Sequence, residues 1–298
     1  MLINAQTLDL AFRGFKTVYS DAFDAAPSHK GEVAMTVASS SRDETYGWLG
    51  QFPQLREWIG PRVISNLAAH GFTIKNRKFE STVSISRDDF SDDKLGLFKP
   101  TFSEMGYLAR HHPEELVFGL LASGFTSPCF DGQNFFDADH PQIDREQNTI
   151  SVSNFQDGAE TPWFLLDTSR AVKPLIWQER ENYEFTAMIN SANPHVFIND
   201  EYIFGVRARV NAGFGLWQLG FGSKATLNAA NYGAARSAMM NFRADGGRIL
   251  GIQPTTLVVP PSLESDALKL LNSEFGAGGE TNQWKGTAKL IVTPFLGE

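Results

Sequence analysis

The chain has 298 residues, 42% hydrophobic and 20% charged, a balance typical of a globular protein and not of a disordered one. Its net charge of −8 argues against tight DNA binding, because such binding gains affinity from Lys and Arg at the phosphates. One cysteine excludes an internal disulfide, and without an apolar run of about 18 residues or a signal-peptide layout we expect a soluble intracellular protein.

The first predicted element is an amphipathic helix over residues 7–25. Its apolar side chains recur every three or four positions, at Leu8, Phe12, Phe15, Tyr19 and Phe23. Thr7 is the predicted N-cap, and the sequence at residues 26–28 ends the helix. The apolar stripe fits either of two roles: packing on the chain's own core, or packing on a neighbouring subunit as an N-terminal arm.

Residues 62–97 alternate apolar and polar side chains, which predicts an extended β-hairpin with its tip at residues 75–78. The apolar positions of the two arms are Phe72 and Ile74, then Phe79, Val83 and Ile85. An isolated hairpin is only marginally stable in water, so its apolar face needs a surface. That surface is either the chain's own domain or another copy of the chain.

A long helix is predicted over residues 101–122. Thr101 and Glu104 fit a capping box, and the apolar stripe consists of Phe102, Met105, Leu108, Leu116 and Leu120. Pro113 predicts a kink or two abutting helices, and Gly124 is the expected terminator.

The second half mixes strands and helices without βαβ alternation, so the predicted fold class is α+β. After a polar, loop-rich stretch over residues 126–160, strands are predicted at 163–166, 172–178, 195–198, 202–210, 256–259 and 288–293. The two predicted helices span 226–243 and 263–275, the second with Ser262 as N-cap.

No residue is assigned a catalytic, cofactor-binding or metal-binding role. Asp137, Asp139 and His140 have the chemistry of metal ligands, but Pro141 follows, and a polar loop with an Asx turn explains the cluster equally well. Cys129 has no partner motif and is interpreted as a buried or idle thiol.

Two further pairs carry charge without a recognisable catalytic motif. His111 and His112 are interpreted as a helix-end pair beside the expected kink. Arg207 and Arg209 lie on one face of a predicted strand, which fits either nucleic acid or ion pairs with a neighbour. Together with 24 phenylalanines and six tryptophans, a long hairpin and an arm-like helix, these features favour an assembly protein.

Characteristic stretches run along almost the whole chain, at residues 44–50, 58–62, 74–80, 131–141, 162–170, 173–180, 202–209, 213–218, 252–261 and 281–288. Together they resemble the Mu-like prophage major head subunit family. One departure concerns order: the module that ends in W-K-G-T-A follows the module that ends in G-L-W-Q, whereas the family pattern has the reverse. The order indicates a circular permutation of the second half.

The resemblance implies the Hong Kong 97 capsid fold. On that map, the N-terminal arm region is 1–54, the extended E-loop is 55–97, the peripheral domain with its spine helix is 98–224 and the axial domain is 225–298.

The resemblance also implies a function: a major capsid protein that self-assembles into hexamers and pentamers of an icosahedral phage head around double-stranded DNA. It implies no cofactor. The partners that it implies are scaffold, portal and decoration proteins. The implied location is the virion, after assembly in the host cytoplasm. Alternatives are an encapsulin-like nanocompartment shell, a metal-dependent hydrolase that uses Asp137, Asp139 and His140, and a nucleic-acid-binding module. The shell interpretation depends on the hairpin and terminal helix needing cover from identical copies.

Overall fold

The computed structural model describes residues 4–50, 71–92, 94–276 and 278–296. Its helices are α1 (Ala5–Ala25), α2 (Lys30–Val33), α3 (Arg87–Ser91), α4 (Leu95–Ser123), α5 (Pro194–Asn199), α6 (Ala229–Met240) and α7 (Glu264–Asn272). Its strands are β1 (Ala34–Ala38), β2 (Asp43–Tyr46), β3 (Phe72–Lys75), β4 (Arg77–Ser86), β5 (His140–Ile143), β6 (Thr149–Val152), β7 (Phe155–Gln156), β8 (Trp163–Leu166), β9 (Leu175–Met188), β10 (Glu201–Phe214), β11 (Gly220–Ser223), β12 (Arg243–Ala244), β13 (Arg248–Ile249), β14 (Thr256–Val259) and β15 (Lys289–Val292).

Two larger sheets contain nine of these strands, and the other six form three two-stranded sheets. The first has the order β1-β9-β10-β4, and the second has the order β15-β14-β8-β11-β7. Strands β9 and β10 are 14 residues long each and pair antiparallel, forming what we call the ribbon. Parallel and antiparallel pairs occur in both sheets, and the helices follow no regular alternation with them, which confirms the α+β class.

Two apolar cores lie along α4. The α1 core contains Leu8, Phe15, Tyr19, Phe102, Phe185 and Phe204, and the sheet core contains Phe118, Trp163, Trp177, Val210, Leu257 and Ile291. Helix α4 and the ribbon contribute buried side chains to both cores, so these long elements fix the position of one core relative to the other.

Helix α1 begins two residues before the predicted start. Its N-cap is Asn4, whose side-chain oxygen accepts from the backbone N–H of Thr7 at 2.9 Å. In return the Asn4 backbone N–H donates to the Thr7 hydroxyl at 3.0 Å, which completes a capping box. The prediction of Thr7 as the N-cap is therefore wrong, because this residue occupies the third helical position.

The apolar stripe of α1 packs within its own chain. Phe15 stacks on Phe102 with 4.2 Å between ring centroids and meets Phe204 edge-on at 5.4 Å. Tyr19 stacks on Phe185 at 5.0 Å. The expectation that this helix needs a neighbouring subunit to cover its apolar face is wrong, because α4 and the ribbon already cover it.

A buried carboxylate holds the segment after α1 on the same helix. Glu114 of α4 accepts from the Ser28 hydroxyl at 2.6 Å, the His29 N–H at 3.1 Å and the Lys30 N–H at 2.8 Å. Since the charge of Glu114 is buried, these donors are what make its position tolerable.

The predicted hairpin with a tip at residues 75–78 is wrong. Only Asn76 separates β3 from β4, and the two strands pair with different partners. Strand β3 pairs with β2, whereas β4 pairs with β10 along its full length, from Arg77 opposite Val210 to Ser86 opposite Glu201. Ile85 is buried, and Phe79 and Val83 are half-buried, against the chain's own cores. With α1 also packed on its own chain, the argument that these two elements need cover from identical copies fails. Residues 62–70 of the predicted first arm lie outside the described residues.

Helix α4 is longer than predicted and unbroken. It begins at Leu95, so the predicted capping box at Thr101 falls inside it, and of the two expectations at Pro113 the pair of abutting helices is wrong. Pro100 and Pro113 both lie within the helix. A proline inside a helix removes one hydrogen bond, a cost that burial of the helix in two cores offsets. Gly124 is confirmed as the C-cap.

Most strands of the second half are confirmed. Strands β8 and β14 match their predicted ranges, β15 is slightly shorter than predicted, and β9 and β10 extend several residues beyond their predictions. The predicted strand at 195–198 is wrong, because Asn193 caps a short helix there and Pro194 occupies its first turn. The loop-rich stretch at 126–160 contains the hairpin of β5 and β6.

Both predicted helices of the second half exist but are shorter. Helix α6 is capped by Asn228 and ends before the predicted stop. A 3-10 turn at Pro261–Leu263 precedes α7, so Ser262 is not its N-cap.

Replacing Phe15 by Ala tests whether α1 belongs to the core of its own chain. The expected loss is about 3–5 kcal/mol in the free energy of unfolding, because the side chain fills a site between two rings. Urea denaturation of the unassembled subunit measures this loss. The control is Leu10→Ala on the exposed face of α1, with an effect within about 0.5 kcal/mol. Equal effects of the two substitutions would mean that α1 leaves its own chain.

Candidate functional site

Strands β2 and β3 form a two-stranded antiparallel stalk, with Asp43 opposite Lys75 and Tyr46 opposite Phe72. The chain between the two strands runs from residue 47 to 71, of which 51–70 lie outside the described residues. This connection overlaps the range predicted for the E-loop. The stalk therefore pairs the two ends of this connection, whereas the link between β3 and β4 is the single residue Asn76.

A chain of buried polar contacts joins the stalk to β9. The Tyr46 hydroxyl donates to Gln178 Oε1 at 2.8 Å. Gln178 Nε2 donates to the Ile74 carbonyl at 3.0 Å and to Asn76 Oδ1 at 2.9 Å, and Asn76 Nδ2 donates to Ser39 Oγ at 2.7 Å. Because Gln178 is fully buried, these bonds fix the direction in which the stalk leaves the sheet.

The turn before β2 closes around one carboxylate. Glu44 accepts from the Ser40 N–H at 2.7 Å, the Ser41 N–H at 3.0 Å and the Ser39 hydroxyl at 3.0 Å. These donors, the Ser40 N–H above all, lower the pKa of Glu44 from 4.5 to about 2. Burial, with the charge of Glu44 as a second cause, raises the pKa of Tyr46 to about 12.

His140 anchors the loop that carries the D-G-Q-N-F-F-D-A-D-H-P stretch. Its buried ring stacks on Trp217 at 4.0 Å, with Nδ1 2.8 Å from Asp131 Oδ2 and Nε2 3.2 Å from Asn154 Oδ1. Cys129 Sγ lies 3.1 Å from the other oxygen of Asp131 and donates to it. Burial raises the pKa of the Cys129 thiol, so the predicted burial of this thiol is confirmed.

The three residues weighed as metal ligands do not form one ligand set. Asp137 and Asp139 interact with each other, and this hydrogen bond raises the pKa of Asp139. His140 instead faces Asp131. The hydrolase alternative therefore lacks the arrangement on which it depended.

Both arginines of the 207–209 run pair within the chain. Arg209 Nη1 donates to Glu181 Oε1 at 2.9 Å, and Arg207 donates to the second oxygen of the same carboxylate. Their hydrogen bonds and charges, led by that of Arg209, lower the pKa of Glu181. The predicted ion pair exists, but its partner is in the chain's own ribbon.

The two histidines lie inside α4 and not at a helix end, which corrects their interpretation. His111 Nδ1 lies 3.0 Å from the Tyr107 carbonyl. His112 contacts the Tyr183 hydroxyl, and its ring packs on Phe79 with 4.1 Å between centroids. Burial lowers the pKa of His112.

Among the exposed large apolar side chains of the described residues, two groups lie at sites suited to contact. Helix α5 joins the two strands of the ribbon and leaves Phe197 78% exposed and Ile198 75% exposed. A groove of about 610 Å³ between α4 and the last described turn is lined by Tyr107, Leu108 and Phe295, among others. Contiguous apolar surface of this kind marks sites of contact with other macromolecules.

Solved structures define the class of protein. The chain matches a subunit in the procapsid of bacteriophage JBD30 with a TM-score of 0.88 and 44% identity, covering 98% of this chain and 100% of that one. The JBD30 capsid matches with a TM-score of 0.78 and 35% identity, covering 94% of each chain. The fold is thus the Hong Kong 97 capsid fold, and the backbone is closer to the procapsid subunit than to the capsid subunit.

Sequence comparisons then define the family. The major capsid protein of Escherichia phage Mu is 44% identical over 305 residues, covering 99% of this chain and 100% of the phage protein. The Mu-like prophage FluMu major head subunit of Haemophilus influenzae is 41% identical over 297 residues, covering 96% of each. The model of the Mu-like prophage major head subunit gpT family matches residues 8–296, and the chain belongs to this family. It is a major capsid protein of a phage head, a structural component of the virion and not an enzyme.

The same comparisons correct one expectation. The alignment with the Mu protein runs in one order across both chains, so the predicted circular permutation of the second half is wrong. They do not favour the nanocompartment or hydrolase alternatives. Among the described residues, no helix is long and apolar enough to cross a membrane.

Sequence reasoning missed the anchor of the stalk. Gln178 and Tyr46 are 132 positions apart, and no local motif links them. The one available signal was a glutamine within the apolar start of a strand, in the stretch K-P-L-I-W-Q-E-R.

Replacing Gln178 by Ala removes the partner of the Tyr46 hydroxyl, the Ile74 carbonyl and an oxygen of Asn76. Because these groups are buried, we expect the free energy of unfolding to fall by about 2–4 kcal/mol. Hydrogen exchange should also become faster in β2 and β3. The control is Glu184→Ala, exposed on the same strand. Unchanged exchange in the stalk would contradict its anchoring by Gln178.

Acid should weaken the turn around Glu44. The pKa of this group is depressed in the folded chain, so its contribution is present above about pH 4.5 and is lost as the pH falls through about 2. Glu44→Gln should therefore flatten the fall in Tm between pH 4.5 and 2, relative to the wild type. The control is Glu115→Gln on the exposed side of α4. Parallel curves for wild type and Glu44→Gln would refute this role.

Proposed function

We propose that the chain tiles a closed icosahedral head, as hexamers and pentamers, around double-stranded DNA. The observation that carries the proposal is the full-length similarity, at 44% identity, to a subunit of the JBD30 procapsid. A net charge of −8 fits a wall that encloses packed DNA without gripping its phosphates.

The assembly modules are the arm region at 1–54, the E-loop within 55–97, the peripheral domain at 98–224 and the axial domain at 225–298. Because β4 belongs to the first sheet, we propose the connection between β2 and β3 as the E-loop. They are regions of one folding unit, since β8 and β11 pair with each other and β8 pairs with β14 across the boundary at 224. The stalk presents the E-loop to a neighbouring subunit, and α5 presents Phe197 and Ile198 at the end of the ribbon. Many such contacts, each weak, sum over a closed lattice.

The proposed partners are a scaffold, a portal and decoration proteins, with assembly in the host cytoplasm. Support for decoration comes from a JBD30 capsid decorated with minor capsid protein trimers. Its subunit matches with a TM-score of 0.76 and 34% identity, covering 94% of this chain and 93% of that one.

Electron microscopy of the full chain, expressed alone and with the products of its neighbouring genes, tests the proposal. Closed shells or sheets of capsomers are expected. A monomer that stays inert at high concentration, with and without those gene products, would overturn it.

The double substitution Phe197→Ser with Ile198→Ser tests the end of the ribbon. Because both side chains are exposed and Val196 still anchors α5, the subunit should fold normally. We expect the concentration needed for shell formation to rise about tenfold or more, as measured by sedimentation. Ser191→Asn, a polar exchange at the same exposed tip, is the control. Assembly at wild-type concentrations would remove α5 from the interface.

A further inference from the structure

Three potential metal ligands converge beneath the loop at residues 126–160. In the described part of the chain, one donor atom each from Cys129, Asp131 and His140 lie within 4.8 Å of one another. Asp131 is central, with one oxygen 3.1 Å from the Cys129 sulfur and the other 2.8 Å from His140 Nδ1. Cys129 and His140 are both buried, so bulk water has little access to this side of the carboxylate.

Asn154 determines which nitrogen of His140 carries a proton. Its Nδ2 donates to the carbonyls of Phe135, Trp217 and Gly220 at 2.8, 3.3 and 3.2 Å. That fixes the amide orientation and turns Oδ1 towards His140 Nε2, 3.2 Å away. Since Oδ1 can only accept, Nε2 must donate, and it therefore holds a hydrogen.

The second nitrogen of His140 then faces a carboxylate. Nδ1 lies 2.8 Å from Asp131 Oδ2, on the side of the ring away from Asn154. A metal ion placed between this nitrogen and the carboxylate would be ligated by both. In metal sites, a ligating histidine characteristically donates its other N–H to a carbonyl or carboxylate oxygen, which is the role that Asn154 fills here.

A separate observation points to a ligand on the open side of Asp131. This residue also lines a pocket of about 260 Å³, together with Gln218. Gln218 is 7% exposed, and its Oε1 is buried without a hydrogen-bond partner in the described ranges. Buried acceptors are nearly always satisfied, so this oxygen marks an unfilled hydrogen-bonding position on a residue that lines the pocket.

We propose that Cys129 Sγ, the Asp131 carboxylate and His140 Nδ1 bind one Zn²⁺, with a water in the pocket as fourth ligand. Sulfur, nitrogen and carboxylate oxygen together suit this ion. Tetrahedral Zn²⁺ lies about 2.0–2.3 Å from its ligands, which places the ligand atoms about 3.2–3.8 Å from one another. The distances of 2.8 Å between His140 Nδ1 and Asp131 Oδ2 and of 3.1 Å between Cys129 Sγ and Asp131 Oδ1 must therefore increase by a few tenths of an ångström. The thiol proton is released to solvent as the sulfur binds the ion.

The consequence of binding is structural. Zn²⁺ would tie the turn at Cys129 and Asp131 to β5, and through the stacked ring of His140 to Trp217 beside β11. The inference is independent of the proposed shell, because metal binding is measured on the free subunit and assembly by microscopy.

Titration of the chelator-treated full chain with Co²⁺ tests the proposal. The wild type should show a thiolate-to-cobalt charge-transfer band that saturates at one ion per chain, and Zn²⁺ should abolish it. Cys129→Ser should eliminate the band and lower the Zn²⁺ affinity at least tenfold. Asp137→Asn, a carboxylate change in the same loop outside the ligand set, should behave like the wild type.

A second measurement needs no substitution, in case Cys129→Ser fails to fold. The Tm of the wild type should rise with the free Zn²⁺ concentration and return to its starting value on chelation. Absence of both the cobalt band and this rise would overturn the proposal. Wild-type Zn²⁺ affinity in Cys129→Ser would overturn it as well.

Discussion

The register between β9 and β10 is the constraint on which the other elements depend. Both strands are long enough to enter the α1 core at one end and the sheet core at the other. A shift of one residue would turn every side chain to the opposite face, moving Phe185 out of one core and Gln178 away from the stalk. The pairing of Arg207 and Arg209 with Glu181 spans the same two strands, between the two cores.

This constraint links the body of the subunit to the regions proposed to contact other subunits. The stalk is positioned by Gln178 on β9, and α5 is simply the connection between β9 and β10. Both candidate contact regions therefore take their orientation from the same pair of strands. The family model matches residues 8–296, so the similarity to the family extends over nearly all of these helices and strands.

Local patterns predicted the elements whose stability is decided locally. The stripe of α1 and the apolar runs of β8 and β14 were read correctly, because period and composition are properties of neighbouring residues. The strand with which each strand pairs could not be predicted from the local sequence. Alternation in β4 is the same whether it pairs with β3 or with β10, and only the tertiary fold decides between the two.

Local sequence was equally unable to show which side chains meet in the loop at residues 126–160. The sequence placed Asp137, Asp139 and His140 together because they are adjacent in the chain, whereas the fold turns His140 towards Asp131 and Cys129. Proximity in the sequence thus pointed to this loop, but not to Asp131 as the carboxylate that His140 contacts. The family could be recognised because its motifs are spread over the chain, although the order of its modules was misjudged.

The second sheet is assembled from segments that are far apart in the chain. Its members include β7 near residue 155 and β15 near residue 290, and β14 is flanked by β8 and β15. Pairing of such distant segments is slow, since the loops between them must close first. During synthesis β15 is the last strand of this sheet to leave the ribosome, so the α1 core can form before the sheet is complete. A subunit with its full second sheet therefore exists only after residues 289–292 have been synthesised.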